Sequence, residues 1–370
     1  MTGFLFVPDI SGFTRFVTQT ELDHSRHIIA ELLEIVLKAN TLGLKISEVE
    51  GDAVLFYQGG SAPPLSALIE QVTATFVAFH TELKVLERDR VCRCGACSTA
   101  SRLSLKFIAH AGTLEETSIG RFTKLIGADV ILVHSLLKNS LPHREYFLAT
   151  DDYLGSGEIT LPAQWGVLAP HTETVEEFGA VSCRVAVLSG LHEAVPDPPA
   201  NPLAGYARGG LSASVLIDAP LEFVLAILTD SSQKISYAPG LRTVRQDAPI
   251  TRVHTAHTCV FDDVEIRFQT EQASGTREAF RYVERVSRPA SVDLIFDYAL
   301  ALNGGSTRVT LRISAPEGGG ELRRRLLRTA SLLRGRISAG RGLSALKAYV
   351  ERRYRGERAA NSAGIASARR

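Results

Sequence analysis

The sequence contains no run of 18 apolar residues, and its first residues carry neither a cluster of cations nor a cleavage motif. These absences argue against a membrane-spanning helix and against a secretory leader. Cysteine is scarce, with five in 370 residues, and three of the five fall within six positions. This pattern suits a reducing compartment better than a secreted disulfide framework. We therefore expect a globular protein of the cytoplasm.

The chain has almost no net charge, +1 at pH 7, but its charged residues are unevenly distributed. Residues 1–190 contain 15 Lys or Arg and 22 Asp or Glu, a net of −7. The remaining residues contain 26 and 18, a net of +8. A chain of this length exceeds what one hydrophobic core usually organises. Both observations predict two separately built domains.

A segment rich in proline and glycine, HEAVPDPPANPLAGYARGG, lies just past the middle of the chain. Its composition leaves little scope for a helix or a strand to continue through it. We therefore predict a first domain over residues 1–191, a linker over 192–207, a second domain over 208–356 and a disordered basic tail over 357–370.

Hydrophobic periodicity before this linker predicts a mixed α and β domain. A short apolar strand at residues 4–8 precedes a helix, and residues 44–57 are typical of a hairpin with Gly51 and Asp52 at its tip. Further elements are expected as a helix near residues 65–88, strands at 103–110 and 146–149, and a helix at 130–137.

Two carboxylates mark a candidate site in this domain. Asp9 leaves the first strand and Asp52 stands at the hairpin tip, so they would converge if the two strands are neighbours. Oxygen-rich sites of this kind suit Mg²⁺ or Mn²⁺. A helix begins beside Asp9, and the backbone amides at its N-terminus would then face a triphosphate. These amides belong to Ser11, Gly12, Phe13 and Thr14. The alternative is that both aspartates only cap turns.

The segment FVPDISGFTRF resembles the opening motif of class III adenylate and guanylate cyclases, and EGDAVLFY resembles their second metal motif. LIGADVILVHSLL is similar to a third segment of these enzymes. The first domain thus resembles a divergent class III cyclase of the DUF2652 type. This resemblance implies a ferredoxin-like βαββαβ domain, metal ligands at Asp9 and Asp52, and a head-to-tail homodimer.

Departures from the cyclase pattern limit the activity that the resemblance implies. Glu48 replaces the base-recognising lysine, and Lys124 stands where its acidic partner is expected. Ile131 and Ser135 replace the asparagine and arginine that stabilise the transition state, and losing such donors costs orders of magnitude in rate. We expect a signalling protein that binds a nucleoside triphosphate with weak or absent catalysis. The alternatives are an active cyclase or NTP hydrolase that uses Lys124 or Arg121, and a ligand-binding carrier that takes no nucleotide.

The charge-reversed pair of Glu48 and Lys124 has two interpretations. It is either a new base preference or a surface ion pair that contributes little to stability.

The segment VCRCGAC offers three soft ligands, Cys92, Cys94 and Cys97, within six residues. Tetrahedral Zn²⁺ takes four ligands, so another residue must complete the set. Residues that could do so are His80, His110, Cys183 or one from a partner chain. The alternatives to a zinc site are a reduced loop without a chemical role and a redox switch.

Patterns after the linker predict a strand, a helix, six strands and a long Arg-rich helix. The turn LIDAPLEFVLAILTD is similar to the opening of START-like domains of the SRPBCC superfamily. That resemblance implies a helix-grip fold with an apolar cavity for a hydrophobic small molecule. His257 and Cys259, two residues apart on one strand, would share a sheet face and either line the cavity or belong to the core.

Residues 321–370 contain 13 arginines and one lysine but only three glutamates. A basic helix can bind nucleic acid or an anionic membrane. However, its apolar stripe is needed inside a helix-grip fold, so we do not expect a nucleic-acid partner. In sum, the sequence predicts an α+β protein with a cyclase-like domain followed by a START-like domain.

Overall fold

The computed structural model describes residues 1–120, 122–155, 159–200, 211–262, 264–289, 292–315 and 339–360. The chain divides into two compact units. The first comprises Met1–Arg88 with Gly95–Pro199, and the second comprises Asp89–Cys94 with Ala200–Arg370. Within the described ranges, no helix is both long and apolar enough to cross a membrane.

The first unit is built on one seven-stranded sheet and a separate two-stranded hairpin. Its strands are β1 (Thr2–Ser11), β2 (Lys45–Glu50), β3 (Ala53–Gly59), β4 (Ser104–Thr113), β5 (Glu115–Ile119), β6 (Phe122–Ile126), β7 (Tyr146–Thr150), β8 (Ala169–Val175) and β9 (Gly179–Val187). The large sheet has the order β2-β3-β1-β4-β7-β9-β8, and β5 pairs with β6. Only the β4–β7 pair is parallel among the strand pairs described for this unit.

The α-helices described for this unit are α1 (Phe13–Gln19), α2 (Leu22–Lys38), α3 (Leu65–Arg88), α4 (Gly95–Thr99), α5 (Ala128–Leu136) and α6 (Asp151–Leu154). The helix α2 buries Ile28, Leu32 and Val36, which recur every fourth residue on one face. Since α2 joins β1 to β2 and α3 joins β3 to β4, the spatial order β4-β1-β3-β2 gives the ferredoxin-like βαββαβ arrangement expected from the sequence.

Strand β1 lies in the middle of this sheet and is covered on both faces. Leu5 and Val7 pack in one apolar cluster with Val133 of α5. On the alternate positions, Phe6 stacks against Phe56 and Phe107, with ring centroids 6.2 and 5.8 Å apart respectively. Burial on both faces explains why the strand is a continuous apolar run and why its one charged residue is conspicuous.

The second unit contains one antiparallel seven-stranded sheet in the order β10-β16-β15-β14-β13-β12-β11. Its elements are β10 (Leu211–Ile217), α7 (Leu221–Thr229), β11 (Leu241–Gln246), β12 (Ala256–Phe261), β13 (Glu265–Gly275), β14 (Ala279–Ser287), β15 (Leu294–Asn303) and β16 (Ser306–Ser314). Residues 339–360 form a C-terminal helix.

The C-terminal helix packs on this sheet through Leu343, Leu346 and Val350, which share a core with Tyr282 and Leu311. The order of strand, helix, six strands and helix is the one expected from the sequence, whereas the START-like helix-grip assignment stays a prediction. Residues 201–210, which include the end of the predicted linker, lie outside the described residues, as do the beginning of the Arg-rich segment and the tail beyond residue 360.

Candidate functional site

Asp9 and Asp52 lie side by side in the first unit. Strands β1 and β3 are antiparallel neighbours, with Asp9 opposite Ala53, and the backbone N–H of Ile10 donates to the backbone oxygen of Asp52 at 3.1 Å. This pairing places the two carboxyl groups side by side, close enough for each to influence the pKa of the other. The convergence required by the sequence hypothesis is therefore present, while the role of the two residues as metal ligands stays a prediction.

The environment of these carboxyl groups disfavours two negative charges. Asp9 is buried, and burial raises its pKa, although the ammonium group of Lys106, 3.5 Å from Asp9 Oδ2, acts in the opposite direction. Burial together with the charge of Asp9 raises the pKa of Asp52 to about 7. Two facing carboxylates with raised pKa values are stabilised in their ionised form by a cation placed between them.

The aspartates open onto a depression of about 680 Å³. The residues predicted to face a phosphate line it as well, namely Ser11, Gly12, Phe13 and Thr14, as do the cations Arg15, Lys106 and Lys138. Gly12 has a positive φ of 92° and ends the strand where α1 begins. The Ser11 hydroxyl donates to the backbone oxygen of Arg144 at 2.7 Å, so the side chain of Ser11 is already engaged.

Glu48 and Lys124 also meet, as the charge-reversal hypothesis requires. Lys124 Nζ is 3.5 Å from one Glu48 oxygen, and His134 Nε2 is 3.5 Å from the other. These three residues line a second depression that shares Glu50, His134 and Lys138 with the first. Arg121, the other tentative catalytic residue, lies outside the described residues.

Ile131 and Ser135, which the sequence resemblance aligns with transition-state donors of cyclases, are respectively apolar and already hydrogen-bonded. Ile131 is 58% exposed on α5 and offers no donor from its side chain. The Ser135 hydroxyl donates to the backbone oxygen of Ile131 at 3.0 Å, a bond within the helix. Neither residue can deliver a charged hydrogen bond to a phosphoryl group.

Among the three clustered cysteines, Cys97 lies beside a histidine of α2. Its Sγ is 3.4 Å from His24 Nδ1, and both residues belong to the first unit. The residues named from sequence as possible fourth zinc ligands have other neighbours. His110 contacts Thr150 and Asp129, Cys183 donates to the backbone oxygen of His171, and His80 lies near Glu145.

Sequence reasoning missed Lys106 and His24. Lys106 lies directly opposite Asp9 in the β1–β4 pairing, so a correct prediction of that pairing would have placed its charge at the site. His24 lies on α2, and no local sequence pattern links that helix to the cysteine loop.

The second unit contains a buried polar network of its own. Lys234 Nζ donates to Glu284 Oε1 at 3.0 Å and to His257 Nε2 at 2.8 Å, and the Tyr282 hydroxyl donates to the same Glu284 oxygen at 3.0 Å. Glu284 is fully buried. Phe268 lies 4.2 Å below the Lys234 ammonium and stacks on His257. Such a network is tolerated in a core because its members satisfy one another.

Above this network lies a cavity of about 170 Å³. Its walls are mainly apolar and come from the sheet, α7 and the C-terminal helix, including Leu228, Ile266, Phe268, Phe296, Leu311 and Leu346. Polar groups reach it from Lys234, Tyr237 and Tyr298. Cys259 lines the cavity and His257 is buried beside it, so the two residues share the inward side of β12, as their spacing predicts.

The first unit is thus a mixed α+β domain whose largely antiparallel sheet presents two adjacent carboxylates to an open depression. Residues 29–146 match the model of a family described as "Protein of unknown function (DUF2652)". The chain is 38% identical over 172 residues to the uncharacterized protein Rv2561/Rv2562 of Mycobacterium tuberculosis, which covers 46% of this chain and 78% of that protein. The chain therefore belongs to the same family as Rv2561/Rv2562, and the DUF2652 part of the sequence prediction is confirmed.

Solved structures similar to the chain include cyclases. The catalytic core of a rhodopsin-guanylyl cyclase in complex with ATPalphaS matches with a TM-score of 0.37 and 15% identity, over 50% of this chain and 95% of that chain. The adenylyl cyclase CyaB from P. aeruginosa matches with a TM-score of 0.33 and 18% identity, over 50% and 93%. The ZhuI aromatase/cyclase from Streptomyces sp. R1128 matches with a TM-score of 0.31 and 14% identity, over 39% of this chain and 93% of that chain. All three TM-scores lie below 0.5, so these likenesses assign no function.

Proposed function

We propose that the first unit binds a nucleoside triphosphate together with Mg²⁺ or Mn²⁺ at Asp9 and Asp52. The observation that carries the proposal is the contact between these two carboxyl groups, both with raised pKa values, at the floor of a depression. Oxygen donors suit hard divalent cations, and Mg²⁺ is commonly held by one or two carboxylates plus substrate phosphates. Lys106, Arg15 and Lys138 supply positive charge for the phosphates.

In this proposal catalysis is weak or absent. The exposed Ile131 and the engaged Ser135 leave the developing charge without the donors that cyclases use. Lys124, one of the two residues that could substitute, is paired with Glu48. The role that follows is nucleotide-dependent signalling rather than rapid production of a cyclic nucleotide.

Thermal unfolding with each nucleotide tests the binding proposal. Addition of ATP or GTP with Mn²⁺ should raise Tm in the parent protein and not in Asp52→Asn, because a ligand that binds only the folded state stabilises it. Asp23→Asn is the matched control, since Asp23 is an exposed aspartate on α2 with 89% of its side chain accessible. Equal Tm shifts in the parent and in Asp52→Asn would contradict the proposed site.

The rival activity is an altered cyclase or NTP hydrolase that uses Lys124 or Arg121. Incubation with each NTP and Mn²⁺, followed by analysis of the products, separates the two functions. A cyclic nucleotide or a diphosphate that forms in the parent and disappears in Asp52→Ala would establish the rival activity. Unchanged triphosphate, in a protein that nevertheless shows the Tm shift, supports binding without turnover.

We further propose that the second unit is a START-like domain that binds a small hydrophobic molecule in the cavity above Lys234. A cavity of about 170 Å³ is close to the roughly 150 Å³ apolar cavity that accommodates benzene in another protein. The ligand class that fits is a single-ring aromatic molecule with an acceptor group for the Lys234 ammonium.

Tm measured with toluene, phenol and benzoate tests this ligand class. Benzoate or phenol should raise Tm more than toluene does, and the difference should vanish in Lys234→Met, which keeps most of the side-chain volume. If none of the three compounds changes Tm, the cavity is not a ligand site of this class.

Two further roles remain proposals. The thiolates of Cys92, Cys94 and Cys97 suit Zn²⁺, and a fourth ligand would complete the tetrahedral set. A homodimer is implied by the resemblance to class III cyclases, and light scattering of the purified chain measures it directly.

A further inference from the structure

A second group of metal-binding side chains lies in the first unit away from the cysteines. His80 is on α3, Glu145 directly precedes β7, and His192 belongs to a short 3-10 segment, Ser189–Ala194. One potential ligand atom from each residue lies within 4.8 Å of those of the other two. Residues from three separate elements therefore meet at one point.

The key observation is the state of His80. This residue is 6% exposed, and its Nε2 is buried without a hydrogen-bond partner. The nearest Glu145 oxygen is 3.5 Å away, in a geometry that does not make a hydrogen bond. A buried polar atom without a partner costs roughly 1–3 kcal/mol, so such an atom is expected to serve a ligand that the polypeptide does not supply.

The distances fit a tetrahedral ion. Two ligand atoms that are each bonded to Zn²⁺ at about 2.1 Å, at a tetrahedral angle, are about 3.4 Å apart. His80 Nε2 and Glu145 Oε1 are already 3.5 Å apart. His192 Nε2 lies 2.9 Å from the other Glu145 oxygen, a hydrogen bond that would lengthen slightly on metal binding. His192 has 44% of its side chain exposed, which leaves it room to move.

The surroundings hold the two imidazoles in place. Phe76 packs against both rings, with centroids 4.2 Å from His80 and 5.1 Å from His192, and the two imidazole rings meet edge to face at 4.5 Å. The neighbouring cation Lys84 is directed away, because its ammonium donates to the Val195 oxygen and to Asp197. Two imidazoles and one carboxylate are thus brought together on an aromatic wall.

We propose that His80, Glu145 and His192 form a Zn²⁺ site with the fourth coordination position open to solvent. Two neutral imidazoles and a carboxylate are a donor set that Zn²⁺ prefers and that Mg²⁺ does not. The site joins α3 to the segment that leads out of the first unit, and it requires neither a nucleotide nor the cysteine loop.

The test uses the full chain with Cys92, Cys94 and Cys97 all replaced by serine, so that thiolate binding cannot contribute. After treatment with a chelator, this protein should bind one equivalent of Zn²⁺. It should also bind Co²⁺ with a d–d spectrum that lacks thiolate charge-transfer bands. In the same background, His192→Ala and Glu145→Gln should each weaken Zn²⁺ binding by more than about 100-fold, because a direct ligand is lost.

His171→Ala is the matched control. His171 makes an equivalent 2.9 Å contact with Glu173 but belongs to no three-residue metal-binding group among the described residues, so its removal should leave Zn²⁺ affinity unchanged. His192 is a partly exposed residue, and Tm without metal verifies that its variant is folded. The proposal is overturned if the triple-serine protein binds no Zn²⁺, or if His192→Ala binds Zn²⁺ as tightly as its parent does.

Discussion

Lys106 lies directly opposite Asp9 on the neighbouring strand, with its ammonium nitrogen 3.5 Å from Asp9 Oδ2. The lysine also donates to the backbone oxygen of Leu137 at 2.9 Å, which holds it at the edge of the depression. A cation in this position has two opposing effects. It partly neutralises the carboxyl pair, and it adds positive charge where phosphates are proposed to bind.

Replacement of this lysine separates the two effects. In Lys106→Gln, Mn²⁺ alone should bind about tenfold more tightly because a competing cation is removed, whereas ATP or GTP should bind more weakly in the presence of Mn²⁺. Calorimetric titration at low ionic strength measures both quantities. Lys38→Gln, a change to an exposed lysine on α2, is the control. Mn²⁺ affinity equal to that of the parent would show that Lys106 does not act on the carboxyl pair.

The pKa of Asp52, about 7, predicts how stability changes with pH in metal-free protein. A carboxyl group whose pKa is raised by folding stabilises the protein at low pH, and this contribution is lost as pH rises through about 7. At pH 8, the free energy of unfolding of Asp52→Asn should therefore exceed that of the parent by about 1 kcal/mol. This value is smaller than the full pKa shift implies, because Asp52 is partly exposed to solvent. At pH 4 the difference should vanish. Urea unfolding at the two pH values measures it, and a variant that is less stable at pH 8 would contradict the assignment.

The same ionisation of Asp52 should make Mn²⁺ affinity rise with pH, whereas the stability of the metal-free protein falls. Ligands must be deprotonated to bind a cation, so Mn²⁺ affinity should increase between pH 6 and pH 8 and then level off. Titrations at three pH values within this range measure the slope. An affinity independent of pH would mean that Mn²⁺ binds elsewhere.

His257 in the second unit gives a separate prediction for acid stability. Burial and the nearby charge of Lys234 lower its pKa to about 2. Because the unfolded chain takes up a proton near pH 6.5 and the folded protein does not, stability should fall below that pH by up to about 1.4 kcal/mol per pH unit. In His257→Gln this loss should be smaller. Unfolding at pH 7 and pH 5 tests it, and identical losses in both proteins would contradict the assignment.

The buried Lys234–Glu284 pair should show strong coupling. Lys234→Met or Glu284→Gln alone leaves the other member of the pair without its partner and should destabilise the second unit by roughly 3–5 kcal/mol. The double variant should cost clearly less than the sum of the two single changes. Additive losses in a double-mutant cycle would show that the pair is not coupled.

Local pattern predicted much of this fold. The helix expected near residues 65–88 is α3, Leu65–Arg88, because a long amphipathic face fixes both the type and the length of a helix. The hairpin with Gly51 and Asp52 at its tip is also present, since Gly51 has the positive φ of 61° that such a turn requires.

Other features depend on pairings that local pattern does not encode. The start of β12 at Ala256 is one example, because residues 252–255 form a turn in which His254 has a φ of 72°. Lys106 reaches Asp9 from the neighbouring strand of the sheet. Lys234 lies in a 3-10 segment and reaches Glu284 on a strand of the second sheet. Long-range contacts of this kind decided which charges belong to the candidate sites.

Asp9 and Asp52 are proposed to hold a divalent cation together with a nucleoside triphosphate. Calorimetric titration of ATP and GTP into the parent, Asp52→Asn and Asp23→Asn, each with and without Mn²⁺, measures it most directly. The account predicts nucleotide binding that requires both Mn²⁺ and Asp52 and that Asp23→Asn retains. Binding that is equally tight without Mn²⁺ and in Asp52→Asn, or no binding of either nucleotide to the parent, would contradict it.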